Sequence, residues 1–107
     1  MKEHNIAYLR ASVIRWVSDE PYPGLIEVQI RDGNGKVWSF IDKYPMFLQR
    51  GSLSPASEYP VSVNIACTVI TYTPDRVVVS TAEPWGLEAI DGTYEFAMQP
   101  SQVLAPD

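Results

Sequence analysis

Hydrophobic and polar residues alternate most cleanly along Leu25–Arg31. Ile26, Val28 and Ile30 fall on one face of an extended chain, and Glu27, Gln29 and Arg31 on the other. A period of two is the pattern of a strand with one face on a core and one in water. Asp32-Gly33-Asn34-Gly35 follows, with two glycines and an Asn to supply the positive φ values of a tight hairpin. Lys36–Asp42 then returns as the partner strand. Val61–Tyr72 is a longer strand: its odd positions from 61 to 69 are all apolar, and its even positions are Ser, Asn, Ala, Thr and Ile. Thr73-Pro74-Asp75-Arg76 has turn chemistry. It leads into the β-branched run Val77–Ala82, expected to pair with Val61–Tyr72 as a second hairpin. Tyr94–Gln99 alternates once more before Pro100 stops it.

The N-terminal segment fits two patterns. Ile6, Leu9, Val13, Trp16 and Val17 make a helical stripe. Ala7, Leu9, Ala11 and Val13 make a strand whose phase switches at Val13-Ile14, as a β-bulge would do. The content of Val, Ile and Trp and the lack of a capping box after Asn5 favour the strand. Between the strands lie Ser18–Gly24, Tyr44–Pro60 and Glu83–Thr93, rich in Pro and Gly; Met46-Phe47-Leu48 offers one apolar contact in the second. Six short strands with such punctuation read as an all-β domain spanning residues 1–107. Closure into a small antiparallel β-barrel is the expected architecture, because closure removes exposed strand edges. A two-sheet sandwich is the alternative.

The run from Pro23-Gly24-Leu25-Ile26-Glu27 through Asp32, Gly35, Trp38, Phe40, Asp42-Lys43 and Pro45 has the form PG-x-x-E … D-x-x-G-x-x-W-x-F-x-D-K-x-P. It resembles small bacterial proteins that share this pattern, and Tyr59-Pro60, Ile65-Ala66-Cys67 and the Pro84–Gly92 loop fit as well. That resemblance implies an all-β fold and no particular activity. At the level of strand layout alone, the chain is also similar to the small barrels of translation elongation factors, an analogy of fold that does not carry function.

Composition narrows the function by exclusion. With 107 residues, 46% of them hydrophobic and 20% charged, the chain has core enough to fold without disulfides or metal. No apolar run approaches the roughly 20 residues that span a bilayer, and the first residues, Met1–Asn5, do not open a signal peptide. With one cysteine besides, a cytoplasmic location is expected. The net charge is −5, unevenly spread: residues 1–50 carry seven basic and six acidic side chains, whereas residues 51–107 carry Arg76 against seven acids. Such a balance disfavours nucleic acid as a partner, since phosphate contacts need concentrated Lys and Arg.

Candidate chemistry is sparse. His4, the one histidine, lies near the terminus, and a zinc site would need more His or Cys than the one of each present. Cys67 falls in the apolar phase of its strand and reads as core. Gly33-x-Gly35 sits between antiparallel strands, where no helix N-terminus follows to bind phosphate. No catalytic, cofactor-binding or metal-ligating residue is assigned, and no cofactor is expected. Asp42, beside Lys43, is either a solvated ion-pair partner or an acceptor for the amides of the following loop. Trp16 and Trp38 lie in strands and belong in or near the core. Trp85 lies in a Pro-Trp-Gly loop among acids, where it lids the barrel end or anchors a partner.

These features favour a non-catalytic protein–protein interaction module. Its expected surface is Glu83, Trp85, Glu88, Asp91 and Glu95, and its expected partner is a basic or mixed-charge protein, such as a basic toxin or nuclease that it would inhibit. Pairing of exposed strand edges into a homodimer is a further expectation. Two other readings remain open. One is a small-molecule binder or enzyme using the barrel mouth near Asp42, Lys43 and Tyr44. The other is an OB-like nucleic-acid module with a basic stripe of Arg10, Arg15, Arg31 and Lys36.

Overall fold

The computed structural model describes residues 6–48 and 51–105. The chain is all-β: β1 (Ile6–Ser18), β2 (Leu25–Arg31), β3 (Val37–Lys43), β4 (Val61–Tyr72), β5 (Val77–Ser80), β6 (Glu95–Met98) and the two-residue β7 (Val103–Leu104). Single 3-10 turns occupy Tyr44–Met46 and Pro100–Gln102. Among the described residues no helix is long and apolar enough to cross a membrane.

The N-terminal segment is the strand of the two expected patterns, and it is the spine of the sheet. Over Ile6–Val13 β1 pairs antiparallel with β4, and over Ser12–Ser18 with β2. The register with β2 shifts between Val13 and Arg15. This is the bulge implied by the phase switch: an extra residue lets Val13 and Trp16 both turn toward Ile26 and Val28. β2 and β3 pair along their whole length, from Leu25 opposite Lys43 to Arg31 opposite Val37. β4 and β5 form the second hairpin, with a shift between Val69 and Thr71 that leaves Ile70 exposed. The inward phases meet in one core, in which Leu9, Val13, Ile26, Val28, Phe40, Ile65, Val77 and Val79 are fully buried. Each contributes about 1.5–3 kcal/mol by leaving water.

The expected closure of the barrel does not occur. Among the described residues all strands belong to one antiparallel sheet in the order β3-β2-β1-β4-β5-β6, with β7 added on β1, so they form no sandwich either. β3 and β6 have no ladder between them, and the sheet is an open half-barrel. After β5 the chain enters a loop at Thr81, and the Ile90 amide of this loop takes the Ser39 carbonyl on β3, while the four-residue β6 pairs with β5. Side chains and single hydrogen bonds fill the gap instead. The Phe96 ring packs on Trp38 and Phe40 at centroid distances of 5.1 and 5.7 Å. The Gly33 amide donates to the Ala97 carbonyl (2.8 Å), and the Ile90 amide to that of Ser39 (2.9 Å).

The two glycines of the first hairpin serve different needs. Gly35 has a φ of +85°, but Gly33 does not lie in that region, and Asn34 does not either. Gly33 is required by space: a methyl group there would lie 3.0 Å from the Ala97 oxygen and the Gln99 nitrogen. The C-terminal turn, absent from the sequence expectation, docks behind the same hairpin. The Gln102 side-chain amide donates to the Arg31 carbonyl (3.0 Å).

Candidate functional site

The reactive-looking side chains resolve first. Cys67 is fully buried opposite Ala7, and burial pushes its thiol up to about 12. A thiol that stays neutral and enclosed is no nucleophile. His4 lies outside the described residues. Among the described residues no three His, Cys, Asp or Glu side chains come together as a metal would require. Among the described residues Asp42 accepts a hydrogen bond from the amide of Lys43, the last residue of β3 (2.8 Å), and from no amide of the following loop. Tyr44 turns to Trp16, with ring centroids 5.9 Å apart.

The acid that organises a turn is Asp32. One carboxylate oxygen accepts from the amides of Asn34 (2.8 Å) and Lys36 (2.9 Å), the other from the Trp38 indole (2.9 Å). Burial raises the Asp32 carboxyl. The hydrogen bonds from Trp38, Lys36 and Asn34, with the Lys36 charge nearby, outweigh that and hold it below the ordinary carboxylate value. Lys36 in turn stands 4.0 Å over the Trp38 ring. The signal was present in the spacing D-x-x-G-x-x-W, which sets the acid across the hairpin from the indole.

The Thr81–Tyr94 loop is built in the opposite sense. Its ends are latched: the Thr81 amide donates to the Tyr94 carbonyl (2.9 Å) and the Leu87 amide to that of Thr81 (2.9 Å), while the buried Thr81 hydroxyl donates to the Leu87 carbonyl. Leu87 and Ala89 reach into the core. The Ala89 amide donates to Thr93 (2.9 Å), that of Gly92 to Ala89 (2.8 Å), and that of Ile90 to Ser39 on β3. Between these fixed points the remaining side chains face outward. Trp85 keeps 58% of its surface exposed and Ile90 65%.

All five residues expected to form a docking surface are exposed. Glu83, Trp85, Glu88 and Asp91 lie on this one loop, and Glu95 opens β6 opposite Ser80. They are spread along the loop rather than gathered at one point. At one end Trp85 borders a cavity of about 310 Å3 lined also by Pro45, Met46, Phe47, Leu48, Asn64 and Ala66. At the other, hydrogen bonds from the Thr93 side chain and amide hold the Asp91 carboxyl below its ordinary value, with Lys36 adding a smaller attraction. Two further features had no signal in the sequence: the exposed Ile90 on the same loop, and the Thr81 latch.

No protein-family model, curated protein or solved structure matches the chain.

Proposed function

We propose that the protein is a non-catalytic docking module that presents the Thr81–Tyr94 loop to a basic protein partner. The observation that supports this most is an exposed Trp85 on a loop fixed by backbone hydrogen bonds and two buried side chains. An indole held in water without freedom to fold away loses little entropy when a partner covers it. Glu83, Glu88 and Asp91 on the same loop, and Glu95 just after it, are exposed and carry negative charge, which favours a cationic partner and speeds encounter with it. The reading places the protein in the cytoplasm, where a lone thiol stays reduced.

Affinity capture from a native lysate, run with the wild-type chain and with the Trp85→Ala/Glu88→Lys double variant, tests the reading. A basic protein retained by the wild type, released by salt and lost from the variant is the expected result. Equal recovery on a variant with an unchanged circular dichroism spectrum rejects this surface.

A further inference from the structure

Two arginines on the outer face of the sheet point to a second site, whose lining meets that of the Trp85 cavity at Asn64. Arg10 on β1 and Arg31 on β2 line a cavity of about 530 Å3 with Ser12, Gln29, Ser62 and Asn64. Strand alternation puts them there: Ala11, Val13, Val28, Ile30, Val63 and Ile65 are in the core, so the residues between them project the other way. Register sets Gln29, Ser12 and Ser62 in one row across β2, β1 and β4, and Arg10 beside Asn64 in the next.

The β1–β2 ladder ends at Ser12 opposite Gln29. Continued to the next outward positions, it would set Arg10 against Arg31. There β1 takes β7 as its neighbour instead, at Tyr8 and Leu9. The fork leaves two guanidiniums beside one opening. Like charges facing each other across strands repel. The ion pair among the described residues, Arg15 with Glu27 at 2.7 Å, does not involve either of them. Arg31 donates to the Gly35 carbonyl (2.9 Å), which steadies that guanidinium and uses one of its five donors. Val37 supplies an apolar wall.

We propose that this cavity binds the phosphate monoester of a small metabolite. A dianion balances both guanidiniums at once and matches their planar, paired donors. The hydroxyls and amides of Ser12, Ser62 and Asn64 supply neutral partners, and the volume is that of a small-molecule site. A nucleic-acid strand fits less well. Arg15 is tied to Glu27, and Lys36 lies over Trp38, so the four basic residues form no continuous track.

Isothermal titration of the full chain with adenosine monophosphate, inorganic phosphate and a single-stranded oligonucleotide tests the proposal. The monophosphate is expected to bind one to one and more tightly than inorganic phosphate. Arg10→Gln and Arg31→Gln should each weaken it roughly tenfold or more, whereas Arg76→Gln, with the same change of charge, should not. Amide shifts in nuclear magnetic resonance spectra of the wild type should centre on Arg10, Ser12, Arg31 and Asn64, a readout that needs no variant to fold. The proposal fails if neither phosphate binds, if inorganic phosphate binds and the ester does not, if shifts centre elsewhere, or if both arginine variants bind like wild type. It also fails if oligonucleotide affinity grows with length while the monophosphate is inert.

Discussion

The Asp32–Trp38 turn and the Thr81–Tyr94 loop are made of similar residues put to opposite uses. Each has a tryptophan, at least one acid, glycine and a tight turn. In the first, the indole, the carboxylate and two amides satisfy one another, and the ring packs on Phe96. In the second, hydroxyl and backbone groups satisfy one another, Asp91 accepts from the Thr93 amide, and the indole is left to solvent. The difference teaches that a Trp among acids is structural when an acid can reach its N–H across a hairpin. It is a display when the loop is held by other groups.

The largest expected effect is on the turn. Asp32→Ala leaves three donors without their acceptor and should cost about 2–3 kcal/mol in urea unfolding. A cost near that of a surface substitution would erase the contrast. The same carboxylate predicts a pH dependence. Its folded value lies below its unfolded one, so its stabilisation is present above the ordinary carboxylate value of 3.8 and is lost as pH falls through the lower, folded value. Asp32→Asn should flatten the acid limb of a stability–pH curve in that window.

Next comes the latch of the loop. Thr81→Ala removes a buried hydroxyl bond and should cost about 1–2 kcal/mol, together with faster amide exchange at Leu87. Trp85→Ala should change stability by less than about 0.5 kcal/mol, and a larger loss in thermal unfolding would make this indole core rather than display. Cys67 gives the smallest signal and sharpens the frame around both regions. Its thiol should stay unreactive toward a disulfide reagent at pH 8 in the folded chain and react fully in urea.

Much of the sheet was legible because alternation reports burial directly. Val61–Tyr72 forms the strand its odd positions describe, and the phase switch at Val13-Ile14 appears as the β1 bulge. Closure was not legible, since it depends on what meets β3 across the gap, a tertiary outcome that no local pattern in Tyr94–Gln99 encodes. β7 was missed for a related reason: two residues have no period. At the candidate site, Trp85 and the acids were visible as residue types, but the Thr81 latch was not, because a single threonine at a strand end has many uses. Asp42 and Asp32 show the same limit. Both precede turns, and only the fold determines which one the amides reach.

The idea that the loop is a rigid display is tested most directly by native-state hydrogen exchange at the amides of Leu87, Ala89 and Ile90. Their hydrogen bonds to Thr81, Thr93 and Ser39 predict protection comparable to that of Lys36, whose amide is bonded to Asp32. Exchange at the rate of an open chain, with Lys36 protected, would contradict it.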